Sequence, residues 1–380
     1  MIEVEQLENK LKICYFVNAN NINAQRCMSF CARVGHEVHA ISLEQPLQNI
    51  NSVHYHIIPT NKRLLLFTLP FKLLRFHKII REVKPSIVDT HYVIKYGFIA
   101  ALIGFHPLIV TAVGSDILIG GKPALLFRSI TRYTLMKADL IICRSRAIKE
   151  AIVRLGIEPT KTRIILIGVD SERFRPITWD KSVRKELAMD ELDPLVISIR
   201  NLSPIYDVET LIKSVPLVLA AVSRTKFIIV GQGKQQSYLQ KLAQQLGVLE
   251  SVIFKGHVSH ADIPRYLSSA DIYVSTSLSD GTSNSLLEAM ACGLAPIVTN
   301  IPANQCWIKD DENGYLVPVK DHKALANKIV SLVTNDKLRR SFGEICRKIV
   351  MKNAEHQTEM AKTEASYHEL ISEYSKAKIN

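Results

Sequence analysis

The stretch S-L-S-D-G-T-S-N-S-L-L-E-A-M-A-C-G, Ser277 to Gly293, decides how this chain is read. An apolar run predicts a strand over 271–275, and a tight loop of small polar residues follows it. A helix then opens at Asn284 or Ser285 and runs to Cys292. Small residues allow backbone N–H groups to approach a ligand, and the start of a helix favours a diphosphate. Asp280 stands at the start of the loop, where a carboxylate can hold sugar hydroxyls. Glu288 lies one turn inside the helix, where a carboxylate can accept two bonds from a ribose diol. An ordinary capped strand-to-helix junction, with Asp280 as a turn residue and Glu288 exposed, uses the same residue types. Local chemistry leaves both readings open.

The same alternation continues on either side. Upstream, strands are predicted over 11–17, 37–41, 53–58, 87–91, 108–111, 139–143 and 163–165, with helices over 24–34, 69–83 and 146–155. A polar segment, 170–193, interrupts the pattern. Strands resume over 196–199, 226–230, 252–255, 271–275 and 295–299, with helices over 208–222, 235–246 and 285–292. Such alternation builds right-handed βαβ units on parallel sheets. The expected fold class is α/β, two doubly wound Rossmann-like domains facing across a cleft, with a helical tail. The expected boundaries are 1–172, a linker over 173–193, a second domain over 194–350, and a tail over 351–380 that packs back on the first. Ligands of such sheets sit outside the carboxyl ends of the strands.

At 380 residues and 47% hydrophobic the chain has material for two packed cores. The acidic start, Met1 to Lys10, lacks the basic and apolar regions of a signal peptide. The longest apolar stretch, Phe98 to Val113, is interrupted by Gly104, His106 and Pro107, too short to span a bilayer. Seven cysteines show no C-x-x-C spacing and fit buried thiols in a reducing cytosol. The net charge of +12 is concentrated in residues 1–172, which suggests an anionic partner.

Residues Ser277–Gly293 resemble the signature of the family 4 retaining glycosyltransferases of the GT-B fold, two acidic residues separated by seven, here Asp280 and Glu288. The order of other segments extends the resemblance over most of the chain: R-V-G-H-E-V-H-A-I-S from Arg33, V-D-T-H-Y from Val88, T-A-V-G-S-D from Thr111, G-V-D-S-E-R-F-R-P from Gly168, F-I-I-V-G-Q-G from Phe227, V-I-F-K-G-H-V from Val252 and E-N-G-Y-L-V-P from Glu312. The resemblance implies a nucleotide-diphosphate sugar donor, UDP-linked, and an acceptor hydroxyl such as that of a lipid-linked saccharide. It places Glu288 on the donor ribose and Asp280 on the transferred sugar. The amides of Gly281, Thr282, Ser283, Asn284 and Ser285 fall on the diphosphate, and the backbone of His257 and Val258 on the base. No metal or other cofactor is implied.

Three departures stand against the pattern. The loop after the first strand carries Ala19-Asn20-Asn21-Ile22-Asn23 where Gly-Gly is usual, and Val113 stands where a histidine is usual. The customary phosphate-clamping Arg and Lys align with Asn201 and Tyr206, leaving Arg200 one position away to reach the phosphates. His91 ends a strand and faces the cleft in this architecture, as a catalytic residue or as a core histidine. Gly231-Gln232-Gly233 lacks the third glycine of a dinucleotide fingerprint and reads as a tight turn; Asp310-Asp311-Glu312 reads as solvated turn acids.

On 69–83, Leu69, Leu73, Phe76, Ile80 and Val83 form an apolar stripe, with Lys72, Arg75, Lys78 and Arg81 opposite. That basic face, with Lys62, Arg63 and Lys84, suits anionic lipid. The expected location is the cytoplasm, with the inner face of the cytoplasmic membrane as a docking place. No interleaved basic and aromatic residues favour nucleic acid. Two alternatives stay open: a degenerate GT-B scaffold acting as a basic membrane- or anion-binding protein, and a GT-B sugar-nucleotide epimerase or hydrolase.

Overall fold

A computed structural model describes residues 10–59, 69–118, 125–176, 181–187, 189–190 and 193–379. The first nine residues, Lys62, Arg63 and residues 177–180 of the expected linker lie outside the described residues. Chain contacts divide the protein into two units, Met1–Ile167 with Gln357–Asn380, and Gly168–His356.

The first unit carries a sheet of β1 (Lys12–Phe16), β2 (Glu37–Ser42), β3 (Val53–Ile57), β4 (Ile87–His91), β5 (Leu108–Ala112), β6 (Leu140–Cys143) and β7 (Thr162–Ile164). Their order is β3-β2-β1-β4-β5-β6-β7, parallel throughout. The second unit carries β8 (Leu195–Ile199), β9 (Lys226–Val230), β10 (Val252–Gly256), β11 (Ile272–Ser275), β12 (Ala295–Thr299) and β13 (Tyr315–Val317), ordered β10-β9-β8-β11-β12-β13 and also parallel. Both are doubly wound, because strand order reverses once in each: between β1 and β4, and between β8 and β11. Central strands such as β4, β5 and β12 are buried along their whole length, as expected when helices cover both faces of a parallel sheet.

Strand β13 and the helices Leu125–Lys137 and Ile263–Ser269 have no counterpart among the elements expected from sequence. β13 is three residues long, too short for a periodic signal. Residues 181–186 form a helix within the second unit, where Arg184 is buried and pairs with Asp271 at 2.9 Å. The last helix, His356–Ile379, enters the core of the first unit through Met360 and Tyr367. All seven cysteines are free, and Cys306 alone is exposed.

One expectation is corrected. Lys72 does not lie on the exposed face of the helix Leu69–Val83; it is buried with Phe76, Ile80 and Val83. The outer face instead presents Phe71, Leu74, Arg75, Lys78 and Arg81.

Candidate functional site

The site of the second unit is built at its reversal of strand order, where the loops after β8 and β11 leave the sheet in opposite directions and open a crevice. Ser283 has extended backbone angles, and its hydroxyl accepts the N–H of Leu286, so the helix Asn284–Ala291 starts on a side-chain cap. Asp280 lies in the loop just before, and its Oδ1 accepts the N–H of Gly281 at 2.8 Å. Across the reversal Arg200 leaves β8, held by a close backbone approach. A Cβ on Gly231 would lie 2.0 Å from the Arg200 carbonyl oxygen, and Gly231 has φ +141°, so only glycine fits there. That approach, not a turn alone, accounts for the first glycine of Gly231-Gln232-Gly233.

Arg200 fills the space beneath the loop. Its Nε donates to Ser275 Oγ at 3.0 Å, its Nη2 makes a short bond to Ser283 Oγ, and its Nη1 stands 3.0 Å from Asp280 Oδ2. The last contact is an ion pair by distance, but its N–H is not aimed at the oxygen. Asp280 Oδ2 is therefore buried without a hydrogen bond.

Glu288 is 5% exposed, which removes the reading of it as a solvated helix residue. Its Oε1 contacts His260 Nε2 at 2.8 Å. His260 packs on Phe174 with ring centroids 5.4 Å apart, and its carbonyl accepts from Arg173. Sequence reasoning missed His260: it stands 28 positions before Glu288, and no periodicity relates a strand-end loop to a helix that distant. His257 is exposed and Val258 half-buried in the loop after β10; Asn201 is exposed beside Arg200. The structure thus brings together Arg200, Asp280, Ser283 and their loop, with Glu288 further along the helix and His260 reaching it from the loop after β10.

His91 belongs to the first unit, at that sheet's own reversal. It is 5% exposed, edge-on to Tyr15, and its Nε2 lies 3.8 Å from Asp89 Oδ1 without a hydrogen bond. Burial pushes its pKa down to about 3, so it is a neutral imidazole at physiological pH and lacks the imidazolium proton that a general acid gives. The loop after β1, which lacks Gly-Gly, closes on itself. The amides of Ala19, Asn20, Asn23 and Ala24 donate to side-chain oxygens of Ser42, Asn18, Asn21 and Asn21.

Among the described residues one group gathers metal-type ligand atoms within 4.8 Å: His36, Glu364 and His368. His36 Nδ1 accepts the N–H of Leu11 at 3.1 Å, so its Nε2 carries the proton that goes to Glu364 at 3.0 Å. The lone pair a metal would need is engaged, and the cluster ties the last helix to Leu11, the residue before β1.

Two doubly wound parallel units, with paired acids at the reversal of the second, define the GT-B glycosyltransferase class. Residues 180–349 match the model of glycosyl transferases group 1, and residues 12–145 that of glycosyl transferase 4-like proteins. The chain belongs to the group 1 glycosyltransferases. It is similar to N-acetyl-alpha-D-glucosaminyl L-malate synthase of Bacillus anthracis, 24% identical over 97% of this chain and 100% of that one. It is also similar to the UDP-Gal:alpha-D-GlcNAc-diphosphoundecaprenol alpha-1,3-galactosyltransferase of Escherichia coli, 26% identical over 78% and 79% of the two chains. Among solved structures, Anabaena HepE in complex with UDP superposes with a TM-score of 0.80 at 18% identity, covering 95% of this chain and 100% of that one; this likeness concerns the fold.

Proposed function

We propose that this chain transfers a sugar, with retention of anomeric configuration, from a UDP-linked donor to an acceptor hydroxyl. The observation that carries the reading is the pair Asp280 and Glu288 on a Ser-capped loop and helix at the reversal of the second sheet. UDP in the HepE structure and UDP-Gal in the name of the Escherichia coli relative favour uridine. In this reading Glu288 accepts the ribose diol, the 281–285 amides and the helix start stabilise the departing diphosphate, and Asp280 accepts a hydroxyl of the transferred sugar. The backbone at His257 and Val258 faces the base, with Asn201 at the site's edge. Catalysis rests on positioning and on charge stabilisation. Thermal-shift titration against UDP, GDP and their sugars tests the assignment, since a ligand raises stability by RT ln(1 + [L]/Kd). No shift with any of them sinks it, in favour of a non-catalytic GT-B scaffold.

A lipid-linked acceptor would bring the protein to a membrane, and one surface suits that. Phe71 and Leu74 are 45% and 72% exposed beside Arg75, Lys78 and Arg81, while no described helix is long and apolar enough to cross a bilayer. Arg75, Lys78 and Arg81 together changed to Gln should weaken sedimentation with anionic vesicles by about fivefold per charge, from ~1 kcal/mol per basic residue. Equal binding of the parent to anionic and neutral vesicles would show that the charge serves another partner.

A further inference from the structure

We infer that Arg200 acts on the transferred sugar through Asp280 and is not a ligand of the donor diphosphate; this rests on the donor reading above. Each of the three guanidinium nitrogens already faces an oxygen of the protein: Ser275 Oγ, Ser283 Oγ and Asp280 Oδ2. The Arg200 side chain is 9% exposed and that of Asp280 16%, and the Tyr206 ring lies 5.3 Å from the guanidinium carbon. To reach a phosphate, the guanidinium would have to leave the Asp280 carboxylate without its counter-charge and give up its bonds to Ser275 and Ser283.

The geometry gives Arg200 a different task. It joins the first acid of the motif to Ser283, the cap of the helix that carries Glu288, so one planar side chain fixes both ends of the loop. It supplies Asp280 with a counter-charge while leaving Oδ2 without a hydrogen bond. A buried acceptor in that condition is completed by a donor from outside the protein, and a sugar hydroxyl is such a donor. One departure from the family pattern thereby has a physical reason: the arginine stands one position early, where it meets Asp280. Arg200 is a positioning residue, and the loop it braces sets which sugar fits.

The test compares Arg200→Gln, Arg200→Lys, Asp280→Asn and the Arg200→Gln/Asp280→Asn double variant. Calorimetry reads affinity for UDP, and UDP release reads turnover of the UDP-sugar that shifts the parent most. Arg200→Gln should keep UDP affinity within about threefold, the measure of an untouched diphosphate site, and lose turnover by roughly the factor that Asp280→Asn loses. The double variant should be no worse than Asp280→Asn alone, since the two residues act as one unit. Arg200→Lys should recover part of the turnover, a charge without the fork. A loss of UDP affinity of about tenfold or more in either Arg200 variant, or losses of turnover that multiply in the double variant, overturns the inference. If Arg200→Gln does not fold, Arg200→Lys decides by the same split: lost turnover with kept UDP affinity supports the inference, lost UDP affinity ends it. A parent that binds neither UDP nor any UDP-sugar overturns the donor reading itself. A parent that binds both, with Arg200 variants that lose UDP, overturns this inference alone.

Discussion

Each of the two sheets reverses its strand order once, and each reversal holds one buried side-chain atom without a hydrogen-bond partner among the described residues: His91 Nε2 in the first unit and Asp280 Oδ2 in the second. Their surroundings differ. At the first reversal Asp89 accepts from Tyr367 at 2.6 Å and from Thr111 at 3.2 Å, and Tyr367 meets Tyr15 at 3.0 Å. Those polar groups anchor the protein's own last helix, and the neighbouring loop spends its amides on side chains of Ser42, Asn18 and Asn21. At the second reversal the charge is paired, Arg200 with Asp280, around a short loop of small residues. One architecture thus serves two ends: the polar groups of the first reversal tie down the last helix, and the second holds a paired charge at the proposed donor site.

The largest effect should come from breaking the second reversal. Glu288→Ala removes a carboxylate proposed to accept two bonds from the ribose, at roughly 1.5–3 kcal/mol per charge-assisted bond. UDP affinity should fall by at least about a hundredfold, with the far-UV circular dichroism of the parent retained. Unchanged UDP affinity by calorimetry would remove Glu288 from the ribose and, with it, the distinction between the two reversals.

Much of this was legible in the sequence for a physical reason. Strands β9 and β12 end where β-branched runs meet turn residues, and Asp280 and Glu288 are fixed by local spacing around one helix start. The contacts that qualify the site are not local. Arg200 meets Ser283 across 83 positions, and Tyr367 meets Asp89 across 278; no periodicity encodes such pairs. Lys72 shows the limit of helical-wheel reasoning: its position borders the apolar stripe, and packing draws its long stem inward. His91 shows another, since a strand end at the carboxyl edge of a sheet is compatible with both a cleft and a core.

A smaller effect separates the first reversal by its response to pH. Burial holds Asp89 up from 3.8 to about 6, so the folded state binds a proton more readily than the unfolded one. Its favourable contribution is complete below pH 3.8 and is lost as pH rises through about 6. Above that, the buried carboxylate costs roughly 3 kcal/mol, at 1.36 kcal/mol per pKa unit. His91 runs the other way. Lowered from 6.5 to about 3, it contributes stability above pH 6.5 that disappears as pH falls toward 3. Asp89→Asn should therefore raise the melting temperature relative to the parent more at pH 7.5 than at pH 4.5. His91→Phe should remove the loss on the acid side. A difference between Asp89→Asn and parent that is the same at both pH values would show that Asp89 does not titrate in this window.

The smallest effect should come from Tyr367→Phe, which keeps the buried ring and deletes the hydroxyl. Met360 and the Tyr367 ring remain in the core, so apolar burial still docks the last helix. What is lost is one bond to a carboxylate and one to Tyr15, a net cost of about 1.5 kcal/mol for a hydrogen bond to a charged group. The cost should depend on pH, because the Tyr367 hydroxyl holds the Asp89 pKa down against burial. Without it the carboxylate becomes harder to ionise, and the variant loses more stability at pH 7.5 than at pH 4.5. Amide exchange should quicken along 356–379 by roughly tenfold, the kinetic equivalent of ~1.4 kcal/mol of local opening. UDP affinity should stay at the parent's value, since every residue assigned to the donor lies in Gly168–His356. Unchanged exchange along this helix would mean that apolar packing alone anchors it; a fall in UDP affinity would mean that the two reversals are energetically coupled and do not work as separate devices.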